Sequence, residues 1–97
     1  MAQRARKSAR AIRIEGWDFD EANVEELANH GVSIRIVDDV ADNQPRFRRN
    51  KKRRSATHQM IGPDRGGRFW VICLRETSPS FWRPITGWAA SDHETNW

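Results

Sequence analysis

The chain has 97 residues, enough for one domain with a single modest core and no room for a second. Its 17 Lys and Arg outnumber its 13 Asp and Glu for a formal charge of +4, and a lone cysteine excludes both an intramolecular disulfide and a cysteine-rich zinc site. No apolar stretch is long enough for a membrane span or a signal-peptide core, so the sequence reads as a protein of the reducing cytoplasm.

The opening MAQRARKSAR has nothing to pack, and residues 1–10 read as a flexible basic tail able to touch nucleic acid. Residues 11–97 then form the one domain. Ile12 and Ile14 alternate with Arg13 and Glu15 ahead of Trp17, the period of a half-buried strand. Asp18 and Glu21 have capping-box spacing, and Ala22, Val24, Leu27 and Ala28 recur at helical intervals up to His30-Gly31, where glycine suits a left-handed helix end. Ser33 caps a second predicted helix to about Asp42, with Ile36, Val37, Val40 and Ala41 on one face, although residues 33–37 alone also alternate like a strand.

Pro45 closes that helix, and the next nine residues, RFRRNKKRR, are too charged to bury and read as a short edge strand running into a loop. Residues 56–61 and 68–76 read as two strands around a turn rich in glycine, with the run FWVICL apolar on both faces as a central strand requires. Cys73, inside that run, reads as a small hydrophobe rather than a catalytic thiol. A last strand over residues 81–88 contains Pro84, which forces a bulge or an edge position. Ser91 and Glu94 repeat the capping-box spacing at the start of a short terminal helix. The fold class is α+β: a small antiparallel sheet of about four strands, two N-terminal helices packed on one face, and a short C-terminal helix.

Charge is segregated along the chain. Residues 1–14 hold five basic side chains and no acid, residues 15–42 hold nine acids and Arg35, and residues 43–97 hold eleven basic side chains and four acids. The surface should therefore be two-sided, one part attracting phosphates and one repelling them. Within the basic run, Arg46, Arg48, Arg49, Lys51, Lys52, Arg53 and Arg54 are the candidate RNA-binding residues. Phe47, and Trp70, Trp82 or Trp88 where exposed, are candidates to stack on unpaired bases, with core packing the alternative for the tryptophans. A solvated loop or a docking site for an acidic protein is the alternative for the run itself.

Several segments in order resemble the BrnT family of bacterial toxins, whose fold is similar to that of RelE toxins. They are Phe19-Asp20-Glu21-Ala22-Asn23, His30-Gly31-Val32-Ser33, Ile61-Gly62, Gly67-Arg68-Phe69-Trp70-Val71, Arg83 before Ile85-Thr86, and the late Ala90 and Glu94. The chain departs from the family where Glu25-Glu26 stand near a usual lysine and where Thr86-Gly87-Trp88 replaces a strand end carrying arginine, so the resemblance is to a divergent member. It implies a RelE-like fold, the toxin role in a type II toxin–antitoxin pair and metal-independent endoribonuclease activity with no cofactor. It also implies a cognate DNA-binding antitoxin of the BrnA type as partner, with a dimer or a hetero-oligomer with that antitoxin as the assembly.

Such cleavage needs a base for the 2′-hydroxyl, cations for the phosphorane and an acid for the leaving oxygen. Arg68 and Arg83 match basic positions of the family and are candidate phosphate binders; a solvated strand end or a pair with Glu76 is the alternative for each. The chain has no tyrosine, which leaves His58, His93 and Glu94 as acid–base candidates, while His30 fits a helix end. The three histidines lack zinc-site spacing, so no metal is expected. The loss of the family's lysine and arginine leaves an alternative function, a non-catalytic module that binds RNA or DNA.

Overall fold

The computed structural model describes residues 12–51 and 55–96. The basic tail expected over residues 1–10 and the candidates Lys52, Arg53 and Arg54 lie outside the described residues.

Strand β1 (Gly16–Trp17) leads into helix α1 (Glu21–Asn29). The helix starts two residues later than the Asp18–Glu21 spacing predicts. Asp20 is the N-cap and accepts from the Asn23 backbone N–H at 3.1 Å, while the Asn23 side chain accepts from the Asp20 N–H at 2.8 Å. Asparagine thus takes the reciprocal role usually given to Glu or Gln. At the other end Gly31 adopts φ +82°, and its N–H and that of Val32 bond back to the carbonyls of Ala28 and Leu27. This closure turns Val32 inward beside Leu27, and both are buried. Helix α2 (Ile34–Asp42) starts at the predicted Ser33 cap and buries Val37 and Val40.

Four more strands follow: β2 (Arg46–Arg49), β3 (His58–Pro63), β4 (Phe69–Ser78) and β5 (Phe81–Ala89), then a one-turn helix α3 (Asp92–Thr95). The sheet order is β1-β5-β4-β3-β2. This corrects the expected antiparallel sheet of about four strands: the described residues form five, and β1 runs parallel to β5, making the sheet mixed. The alternation over Ile12 and Ile14 does not extend the strand. Both pack half-buried on the core, and only Gly16 and Trp17 pair. A Cβ at Gly16 would lie 2.4 Å from the ring of Phe81, an exposed side chain that would have to turn aside.

Met60, Ile72, Leu74, Trp70 and Trp82 form one buried cluster with Leu27, Val32, Val37 and Val40 of the helical segment. Alternation directs Gln59, Ile61, Val71 and Cys73 to the opposite face, and these are buried too, so the centre of β4 is covered on both sides as its apolar run predicts. The register between β4 and β5 shifts between Cys73 and Leu74, opposite Pro84, which is where the proline requires a bulge. No helix among the described residues is long and apolar enough to cross a membrane.

Candidate functional site

Strand β2 is the outer edge of the sheet, and its register fixes where each basic side chain goes. Arg46 pairs with Ile61, Phe47 with Met60, Arg48 with Gln59 and Arg49 with His58. Alternation then sends Phe47 toward the helices, where it packs on the core, and sends Arg46 and Arg48 to the opposite face. Trp70 and Trp82 are buried, so neither they nor Phe47 offers a free face for stacking.

Below Arg48 lies a short polar chain. Arg48 Nε donates to Gln59 Oε1 at 2.7 Å, Gln59 Nε2 donates to Asn50 Oδ1 at 3.1 Å, and Asn50 Nδ2 donates to the Ala56 carbonyl at 3.0 Å. Asn50 and Gln59 are buried, and in a low-dielectric setting buried amides are stable only when bonded in this way. The chain ties the edge strand to the far side of the β2–β3 loop, on which Lys51 is exposed. Neither amide stands out in the sequence; the only sign is an uncharged polar residue interrupting a basic run or an apolar strand.

Helix α3 meets this face near Arg46. A cleft of about 230 Å³ there is lined by Arg46, Ile61, Pro63, Phe69, Glu94 and Thr95, among others. Glu94 is fixed at both oxygens: Oε1 accepts from the Ser91 N–H at 2.8 Å and Oε2 from Trp88 Nε1 at 3.1 Å. Burial pushes the Glu94 carboxyl up, but those hydrogen bonds and the nearby Arg48 charge outweigh it and hold its pKa below the usual value, so it is ionised at neutral pH. His93 is exposed beside it.

The remaining candidates lie elsewhere. Arg83 donates to Asp20 Oδ1 at 3.0 Å and sits 3.6 Å from Asp18 Oδ1, so two carboxylates answer its charge, and Asp20 raises its pKa further. Arg68 is exposed at the β3–β4 turn with its guanidinium 4.7 Å from the centre of the Trp70 ring. Arg83 pairs with Arg75, seven residues along β4 from Arg68, which separates the two arginines by roughly 23 Å of strand. One phosphate does not bridge them. His58 is half-buried near the Arg83 end, its ring edge-on to Trp82 at 5.1 Å and its Nδ1 2.8 Å from the Thr57 hydroxyl. Burial, then the charge of Arg49, lower its pKa, against the opposing effect of Glu76.

The fold therefore brings Arg46, Arg48 and Glu94 to one corner of the sheet, with His93 next to Glu94 on α3. Arg68 precedes the Phe69 of that corner but turns to Trp70 on the other face, and Arg83 and His58 lie toward the far end of β4. His30 closes α1 as its position predicts, with Nε2 3.1 Å from Glu26. In comparisons with known proteins the chain matches no protein-family model, and no curated protein matches it at a significant level.

Proposed function

We propose that this protein binds RNA along the β2 edge and acts as a metal-independent endoribonuclease, the toxin of a type II toxin–antitoxin pair held by a small DNA-binding antitoxin. The observation that carries the RNA half is the row of basic residues along the edge strand and the loop after it, Arg46, Arg48, Arg49 and Lys51, with Arg46 on the lining of the cleft that also holds Glu94. Arginine forks suit a phosphate and its developing charge, and the exposed His93 on α3 is the imidazole proposed for proton transfer. The resemblance to BrnT toxins supplies the toxin half of the reading.

A second reading, RNA or DNA binding without cleavage, is favoured by a specific observation: Arg83 is neutralised by Asp18 and Asp20, and both Glu94 oxygens already accept hydrogen bonds. One experiment separates the two. Purified protein is incubated with mixed RNA in the presence of a chelator, and cleavage and binding are measured together. Cleavage lost on Arg46→Ala and His93→Ala supports the ribonuclease. Binding to intact RNA selects the second reading, and absence of both overturns each.

A further inference from the structure

The clefts of the surface differ in what they could hold. One of about 280 Å³ is walled by Asp39, Asp42 and Asn43 with Arg65, and repels anions. Another of about 240 Å³ has Arg83 on its wall, but that charge is answered by Asp18 and Asp20, and Glu26 lies beside it. The cleft at the β2–α3 corner combines one cation, one carboxylate and one aromatic ring around an apolar floor.

Its size is the first clue. At about 230 Å³ it falls below the roughly 300–1,000 Å³ of sites for drug-sized ligands, and a single flat heterocycle is the better fit. Its polarity is the second. Glu94 on the lining disfavours a phosphate beside it, whereas Arg46, also on the lining, favours one on the β2 side. The occupant is then a neutral ring with N–H donors, attached to an anionic backbone. An unpaired base in an RNA strand meets that description, and Phe69 supplies the face on which it would stack.

We propose that this cleft is a nucleobase site that takes one unpaired base of an RNA strand, guanine ahead of the others, with the base stacked on Phe69 and its Watson–Crick edge at Glu94. The inference rests on the RNA-binding reading above. The selection follows from hydrogen-bond inventory. A carboxylate only accepts, and with one bond already made at each oxygen Glu94 keeps accepting capacity at both. Guanine presents two adjacent donors, N1–H and the 2-amino group, which match two oxygens side by side. Adenine and cytosine each place a ring acceptor next to their amino group, and that acceptor would face a negative oxygen. Uracil offers one N–H between two carbonyls. The Ser91 and Trp88 bonds fix the carboxylate in place, so it cannot turn to suit the poorer edges.

The test uses the full chain and fluorescein-labelled hexanucleotides at low salt with chelator, followed by anisotropy. The central position is guanine, inosine, uracil or an abasic sugar in an otherwise constant strand. Inosine lacks only the 2-amino group. Guanine should bind roughly 5- to 150-fold more tightly than uracil, the range for one well-made bidentate contact, and more tightly than inosine, which loses one of the two bonds. Glu94→Gln, which keeps an acceptor for the α3 cap, should collapse the ratio of guanine to inosine. Phe69→Leu should bring guanine toward the abasic strand. Equal affinity for all four strands, abasic included, overturns the cleft proposal and leaves RNA binding standing, whereas failure to bind any strand overturns the RNA-binding reading and this proposal with it. Should Glu94→Gln disturb α3 by circular dichroism, the comparison of strands on the unaltered protein and Phe69→Leu decides.

Discussion

Burial at the centre of β4 pushes the Cys73 thiol up to about 11, with the Glu94 charge adding to the shift and Arg48 opposing it. The thiolate is the reactive form, so iodoacetamide at mildly alkaline pH should leave Cys73 untouched in the folded protein and alkylate it in denaturant, as read by intact mass. Its position in an apolar run made that inertness legible. His58 behaves differently. Its folded pKa lies below the ordinary 6.5 because burial, then Arg49, disfavour the imidazolium. As pH falls the unfolded chain binds the proton first, so stability is full above the unfolded value and is lost as pH falls toward the depressed folded one. Urea midpoints measured between about pH 7.5 and 5 should fall less steeply for His58→Gln than for the unaltered protein. Phe47 shows where residue-level reading stops. Its charged neighbours mark it as a base-stacking candidate, yet strand alternation turns it onto the core, and alternation has a definite sense only once β2 is registered on β3.

At the scale of elements, Asn23 joins α1 to the sheet. Buried itself, it donates to the Asp18 carbonyl at 3.0 Å and to the Pro84 carbonyl at 2.8 Å, while its oxygen completes the N-cap. Asn23→Ala should destabilise the protein by about 2–3 kcal/mol, because it strands buried carbonyls and loses half of a cap. Chemical denaturation would show a lower midpoint with an unchanged slope. The Ser33 and Ser91–Glu94 caps were legible because everything they need lies within three residues. The α1 cap was displaced by two residues because Asp18 and Asp20 are equally good caps on local grounds. The bonds from Asn23 across to β5 are what distinguish them, and those are non-local. The Pro84 bulge was legible for the opposite reason: a missing N–H disturbs the ladder wherever the strand pairs.

For the whole molecule, the charge blocks translate into a salt prediction. If Arg46, Arg48, Arg49 and Lys51 each neutralise one phosphate of a single strand, a slope near −0.7 per contact makes affinity fall roughly 50-fold between 50 and 200 mM salt. Anisotropy titrations across that range would show it, and a flat response would count against the β2 edge as the contact surface. The corner where Arg46 meets Glu94 was the least legible feature. The two residues stand far apart in sequence and become neighbours only through the β2–β3 and β3–β4 registers and the one-turn helix after β5. Local pattern specifies each strand and leaves the offset between them to packing. The parallel pairing of β1 with β5 has a temporal meaning as well. The β2-β3-β4-β5 meander joins strands adjacent in the chain, whereas Gly16 must wait for Phe81, and the Arg13 carbonyl for the Trp82 Nε1 that bonds it at 2.9 Å. Contacts between distant segments form slowly, and on a ribosome this one has no partner until β5 is synthesised. That indole bond is a clasp fastened last, and a chain stalled before it would leave β4 with a bare rim, open to another nascent strand.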